Sequence, residues 1–395
     1  MIAFDEAVAI VSGLASPVGR ERVGIARAHG RVLAAPAVAR VDSPPADVSA
    51  MDGYAVRDED LRALPASLRV IGEAFAGAGF GGTVEPGTSA RIFTGAPLPA
   101  GADRIVIQEV VRREGDFAVI DSHPGAAKHV RRRGNDFGAG TTLVGAGRKL
   151  GFREIVAVAG GDLAEVDAWR RPTVRIFGTG DELAPPGTAS QKAGSIPESV
   201  SHGVAALAED WGASVVERLH LRDDLELMQG AAAGAVGQAD LIVITGGASV
   251  GDKDFAKAMF ADQGLEFYFA KVAIKPGKPV WLGRAGTSLI MGLPGNPTSA
   301  LVTARLLLAP LVAGLSGLDP GSALSWREAP LAEPLSACGD RETFVRARAA
   351  GGAIEPVSNQ DSSAQKTLAD ADLLVRRLAA APAAAAGDMV PVLNF

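Results

Sequence analysis

At 395 residues the chain exceeds one ordinary hydrophobic core, so about two to four domains are expected. Its 47% apolar and 21% charged residues are the balance of a soluble globular protein, not of a disordered chain. A net charge of −6 and 5% aromatics argue against a general nucleic-acid binder; a single cysteine, Cys338, excludes internal disulfides and thiolate-rich zinc sites.

Met1–Ala15 carries Asp5 and Glu6 where a secretion signal would be basic, and Leu301–Leu315, interrupted by Arg305 and Pro310, is too short to span a bilayer. A cytoplasmic protein with no membrane and no nucleic-acid partner is expected. The spacing of Phe4, Ala7, Val8, Val11 and Leu14 predicts a helix over Phe4–Leu14, and a second short helix is expected over Glu21–His29, ending at Gly30. Pro44 and Pro45 then impose a loop that runs through Met51-Asp52-Gly53-Tyr54 into a strand. From Leu68 to about Asp136, short strands punctuated by glycine and proline predict a β-rich module, with Thr94–Pro97 and Gln108–Glu109 at strand ends. Arg131-Arg132-Arg133, just before Gly134-Asn135-Asp136, reads either as a solvated face or as a holder of an anionic ligand. Gly151–Trp169 returns to a helix-and-turn pattern.

Beyond Arg170 strands alternate with helices: strand Val174–Phe177, helix Val200–Trp211, strand Ser214–Leu221, a helix from Asp223-Asp224, strand Leu241–Thr245, helix Phe255–Gln263, strand Thr287–Gly292, helix Thr298–Leu315. That alternation predicts a doubly wound, mostly parallel sheet covered on both faces, with ligands at the carboxyl ends of its strands. Three punctuated polar loops stand at such ends: Gly178–Glu182, Thr245–Asp254 and Leu293–Ser299. They should converge. After Pro320-Gly321 the segments Glu342–Ala349 and Asp372–Leu378 predict a small C-terminal β domain, with Ala379–Ala386 as a surface loop. The resulting division is an α/β multidomain chain: 1–50 with 137–171 as a helical N-terminal domain, 51–136 as an inserted β-rich module, 172–317 as the doubly wound domain and 318–395 as a β-barrel-like domain.

The chemistry centres on Thr245–Asp254. Gly246, Gly247 and Gly251 allow a backbone turn close to an anion, but a nucleotide-binding P-loop would continue Gly-Lys-Ser/Thr where Asp252-Lys253-Asp254 stands. The reading that remains is a phosphate held by backbone N–H groups and Ser249, with Mg²⁺ held by carboxylates such as Asp254, while Asp252 suits a helix cap. Lys271–Pro279, stiffened by two prolines and a glycine, offers Lys275 and Lys278 as cationic partners. Asp181-Glu182 and Asp223-Asp224 add carboxylates, although Asp224 also suits an ordinary helix N-cap. In Pro294-Gly295-Asn296-Pro297 the last proline fits helix position N1, which would leave an exposed N-terminus at the same edge. Acids, lysines and helix ends together suit a phosphoanhydride with a metal.

In this order, MDGYAVR (51–57), TGAPLPAGAD (94–103), RRRGNDF (131–137), FGTGDEL (177–183), GGASVGDKDF (246–255), KVAIKPGKP (271–279) and GLPGNPTSA (292–300) span almost the whole chain. The chain thereby resembles the MoeA family of molybdopterin molybdenumtransferases. The resemblance implies an elongated homodimer whose doubly wound domain is MogA-like. It implies insertion of molybdenum from molybdate into adenylyl-molybdopterin with Mg²⁺-dependent release of AMP. The cleft would lie between the sheet domain of one subunit and the N-terminal regions of the other, and a molybdopterin adenylyltransferase is a docking partner to consider. By motif position it assigns catalytic roles to Asp52, Asp136, Glu182, Asp224, Asp254, Lys271 and Lys275, the metal falling to Glu182, Asp224 and Asp254. Substrate contacts fall to Thr94, Pro294, Pro297, Ser362 and Thr367, beside Gly246, Gly247, Ser249, Gly251, Lys278, Gly295 and Asn296. Two departures stand out: Glu198-Ser199-Val200 where the family has Asp-Ser-Asn, and Asp361-Ser362-Ser363 where it has Gly-Ser-Gly. An adenylyltransferase sharing the sheet domain and a non-catalytic scaffold are the rival readings; the N- and C-terminal modules weigh against the first, the acids and lysines against the second.

Overall fold

The computed structural model describes residues 1–246 and 255–395. The expectations placed on Gly247, Ser249, Gly251, Asp252 and Asp254 lie outside the described residues. The central sheet has the strand order Ser214–Leu221, Thr173–Thr179, Leu241–Thr245, Ser288–Leu293, Trp281–Ala285, Glu266–Phe269. Its first four strands are parallel, and the last two are added through antiparallel pairings. Burial of the Leu241–Thr245 run on both faces explains its uninterrupted apolar sequence: Leu241 and Val243 enter one core, Ile242 and Ile244 the other. The carboxylate of Asp240, immediately before this strand, accepts from Arg170 Nη1 and Nη2 at 3.0 and 2.9 Å. It also accepts from the Thr173 backbone N–H and Oγ1, each at 2.7 Å, so one acid ties the entries of two central strands.

The last helix of this domain runs from Pro297 to Leu315, with a π segment at Ala304–Leu308 just before Pro310, whose ring and missing N–H disturb the regular ladder. It corrects the reading of Leu301–Leu315 as too short for a bilayer: by length and composition the full helix could cross one, but it is buried in the protein core. The Phe4–Leu14 helix packs into the same core through Phe4, Ala7 and Val11. The Phe4 ring meets Phe344 of the C-terminal domain edge-on at 4.9 Å. Phe4→Leu is therefore expected to lower unfolding free energy by about 1–2 kcal/mol, measurable by urea denaturation.

The expected helix over Glu21–His29 is not formed. Arg20–Gly24 is a strand paired antiparallel with Glu165–Trp169, and only Ile25–Arg27 makes a 3₁₀ turn. Cross-strand contacts explain the change: Arg22 pairs with Glu165 and Asp167, and Arg20 lies over Trp169. Around this ribbon, Val23, Leu33, Val158 and Val166 form a separate N-terminal core, to which the helix Phe152–Gly160 contributes. The β-rich module is a six-stranded sheet ordered Arg104–Ile107, Gly53–Val56, Thr88–Ile92, Ala66–Ala74, Phe117–Ile120, Arg112–Glu114. Gly53 is required sterically there, since a Cβ would lie 2.1 Å from the Val106 carbonyl. In the C-terminal domain the order is Ile274–Lys275, Glu342–Ala350, Leu373–Arg377, Met389–Asn394, Arg327–Pro330. The fold is thus the expected α/β multidomain type, a doubly wound sheet flanked by an N-terminal region with an inserted β module and by a small β domain.

Candidate active site

Strands ending at Thr179, Thr245 and Leu293 bring their carboxyl ends to one cavity of about 620 Å³. Thr179, Gly180 and Glu182 come from the first loop, Thr245 and Gly246 from the second, and Pro294–Pro297 with Ser299 from the third. Ile196–Val200 and Asp223 complete the sheet side, while Ser363 and Gln365 from the C-terminal domain close the other wall. The expected convergence is seen for the first and third loops and for Thr245 and Gly246 at the start of the second.

Among the described residues, three carboxylate residues line this cavity: Glu182, Glu198 and Asp223. Glu198 is 7% exposed and accepts from the Ser201 backbone N–H at 2.9 Å and from Ser201 Oγ at 2.6 Å, fixing the start of the Val200–Asp210 helix. Motif reasoning noted it only as a departure. An acid three residues before a serine at a helix start is the sequence signal that marks it. Asp224 is the helix N-cap: its Oδ1 accepts from Leu227 N at 3.1 Å, and its neighbour Asp223 is the one that lines the cavity.

The lysine turn sits differently from expectation. Ile274–Lys275 pairs in parallel with Glu342-Thr343, which draws the turn to the C-terminal sheet. The Lys271 carbonyl accepts from Ile2 N and that of Lys278 from Val272 N, both at 3.1 Å. Of Lys271–Pro279, only Pro279 lines the cavity; Lys271, Lys275 and Lys278 do not.

Pro297 occupies N1 of its helix as expected, but that N-terminus is not open. The Thr298 N–H donates to the Ser362 carbonyl at 3.0 Å, and Asn296 Nδ2 donates to Ser362 Oγ at 2.9 Å. The C-terminal domain supplies the missing acceptor, so this helix end is sealed by protein. Thr367 Oγ1 donates to the Asn359 carbonyl at 3.1 Å, and the cavity wall is made by its neighbours Ser363 and Gln365.

Asp52, Thr94 and Asp136 belong to the N-terminal region and do not line the cavity of their own chain. Asp52 Oδ1 accepts from the Thr94 N–H and Oγ1, each at 2.7 Å. Those two bonds hold its carboxyl below the ordinary carboxylate range. Asp136 is exposed, its N–H donating to the Ser43 carbonyl at 2.9 Å. Arg132 and Arg133 are already paired, with Asp47 and Asp42. Hydrogen bonds from the Arg133 N–H and Arg132 depress the Asp47 carboxyl, and those from the Ala139 N–H and Arg133 depress Asp42. Among the described residues no three His, Cys, Asp or Glu side chains are grouped closely enough to hold a metal by themselves.

A multidomain α/β enzyme with its substrate cavity at the carboxyl edge of a doubly wound sheet is the class these features define. Residues 2–160 match the family described as MoeA N-terminal region (domain I and II), 175–314 a probable molybdopterin binding domain, and 328–395 the MoeA C-terminal region (domain IV). A molybdopterin molybdenumtransferase of Nostoc sp. is 36% identical over 345 residues, covering 85% of this chain and 78% of its own. One of Haemophilus influenzae is 35% identical over 332 residues, covering 84% and 80%. The crystal structure of a molybdopterin biosynthesis MoeA protein from Pyrococcus horikosii superposes with a TM-score of 0.84 at 30% identity, covering 100% of this chain and 99% of its own. The chain belongs to the MoeA family.

Proposed function

We propose that this chain is a molybdopterin molybdotransferase of molybdenum cofactor biosynthesis, inserting molybdenum from molybdate into adenylyl-molybdopterin with Mg²⁺-dependent release of AMP. The observation that carries the reading is the convergence of the family's three sheet-edge loops on one cavity closed by the C-terminal domain. Molybdopterin and molybdate are the substrates, in keeping with the names of the relatives.

The electrostatics support a cation. Glu182, Glu198 and Asp223 on one cavity would repel a phosphoanhydride unless positive charge lies between them. Glu182 and Asp223 offer hard oxygen donors of the kind Mg²⁺ takes in ones and twos, the remainder coming from water and substrate phosphates. Asp254, and Asp224 once released from its cap, are the further candidates. Bound there, Mg²⁺ would neutralise charge building on the phosphate oxygens as AMP leaves. The chain's own part is to orient the anhydride through the Gly246 turn and the Pro294–Pro297 loop and to keep the carboxylates fixed. Glu198, held by Ser201, positions its helix start. Asp52, Thr94 and Asp136 fit a homodimer in which one copy's N-terminal region completes the cavity of the other. A cytoplasmic location and docking with a molybdopterin adenylyltransferase belong to the same reading.

Incubation with adenylyl-molybdopterin, Mg²⁺ and molybdate is expected to release AMP, and chelation with EDTA to stop it. Absence of molybdate-stimulated AMP release would overturn the assignment, and a parallel reaction with tungstate measures the choice of metal.

A further inference from the structure

Arg346, in the middle of the Glu342–Ala350 strand, is 1% exposed. Among the described residues, none of its hydrogen bonds goes to a carboxylate. Nη1 donates to Thr298 Oγ1 and Nη2 to the Asp361 carbonyl, each at 3.1 Å, while the buried Nε has no partner. Burying a guanidinium against neutral oxygens is a costly way to fill a core position, so the two ends it joins are informative. One is the start of the Pro297–Leu315 helix, where Pro297 and Ser299 line the cavity. The other is the loop that brings Ser363 and Gln365 to the opposite wall.

The backbone of the same residue holds the same loop. The Arg346 N–H donates to Gln360 Oε1 at 3.1 Å, and Gln360 Nε2 donates to the Arg346 carbonyl at 2.8 Å. The loop in turn bonds the helix start through the Ser362 carbonyl. Every one of these contacts crosses between the C-terminal domain and the sheet domain or fixes the loop that does. We infer that Arg346 is a positioning residue of the cavity, clamping the Asp361–Gln365 loop to the helix start so that Ser363 and Gln365 take their places in its lining. Within the loop, the Ser363 N–H and Oγ donate to Asp361 Oδ1 at 2.8 and 2.6 Å, so the clamp also sets where that carboxylate lies. The identity of the occupant rests on the molybdotransferase reading; the clamp does not.

The test uses the full chain with Arg346→Met, Arg346→Lys and Thr298→Val, the last removing one clamp bond while keeping the guanidinium itself. In the AMP-release assay Arg346→Met is expected to raise KM for adenylyl-molybdopterin roughly tenfold or more with a much smaller change in kcat, and Arg346→Lys to recover part of it. Hydrogen–deuterium exchange over residues 359–367 is expected to speed up in Arg346→Met and Thr298→Val while the central strands keep their protection. Unchanged exchange in that segment, or a KM that stays at the wild-type value in folded variants, overturns the inference. If Arg346→Met does not fold, Thr298→Val decides it on the same two readouts. A wild-type protein that releases no AMP would sink the proposed reaction, and the exchange result would still score the clamp.

Discussion

Gly246→Ala is expected to cut molybdate-dependent AMP release by roughly a hundredfold or more, the largest catalytic effect anticipated for a single methyl group. Gly246 has φ +92°, a left-handed backbone that alanine adopts only at a cost. A Cβ there would lie 2.6 Å from the Thr179 carbonyl oxygen and 2.8 Å from Thr179 Oγ1. Backbone cannot swing aside as a flexible side chain can. Strain of about 1–3 kcal/mol and overlap of similar size must therefore be relieved by moving the loops apart. Both residues line the cavity, so the relief falls where substrate is positioned. Steady-state kinetics beside a melting curve separates misplacement from unfolding; near-wild-type turnover would show that the loops shift freely.

Asp240→Ala is expected to cost about 3 kcal/mol of stability, because it deletes the shared acceptor of two strand entries and leaves Arg170 without its carboxylate. The effect should depend on pH in a defined direction. Burial pushes the Asp240 carboxyl up, but the hydrogen bonds from Arg170 and Thr173 outweigh it and hold the group below its ordinary value of 3.8. A depressed folded value means stability that is fully present above the unfolded pKa and is lost as pH falls through the folded one. The gap between wild type and Asp240→Asn should thus be constant near neutrality and shrink below about pH 4. Urea titrations at neutral and acid pH measure it; a gap that grows on acidification would contradict the assignment.

How much of this was legible in the sequence depends on how local its cause is. The four parallel strands are readable because burial on both faces leaves an uninterrupted apolar run such as Leu241–Thr245, and the cavity follows because parallel strands share one edge, whereas the antiparallel strands Trp281–Ala285 and Glu266–Phe269 carry no such pattern. The sequence over Glu21–His29 suggests a helix because the strand partner of Arg20–Gly24, Glu165–Trp169, lies far along the chain and no local pattern announces the pairing. The same holds for Arg132 and Arg133, whose acids at Asp47 and Asp42 are 85 and 91 residues away. The lysine turn looked like a cavity element because charge and stiffness are visible in sequence; its attachment to the C-terminal strand at Glu342-Thr343 is not. Ser363 stands out only as part of a departure and Gln365 not at all, because an ordinary serine and glutamine become cavity lining only when another domain presents them.

The meeting of Phe4 with Phe344, and of Arg376 with Asp5 across 371 residues of sequence, has a bearing on biosynthesis. The core of the sheet domain includes Phe4 from the first helix and Leu374 and Leu393 from the last strands, with Phe395 packed against it. A ribosome therefore emits the first helix long before the strands that cover it, and the sheet domain can collapse only provisionally while the C-terminal domain is still in the exit tunnel. Final closure of that core must wait until those C-terminal strands have emerged. A nascent chain stalled before they emerge would expose the apolar face around Phe4, the surface that a chaperone would have to shield.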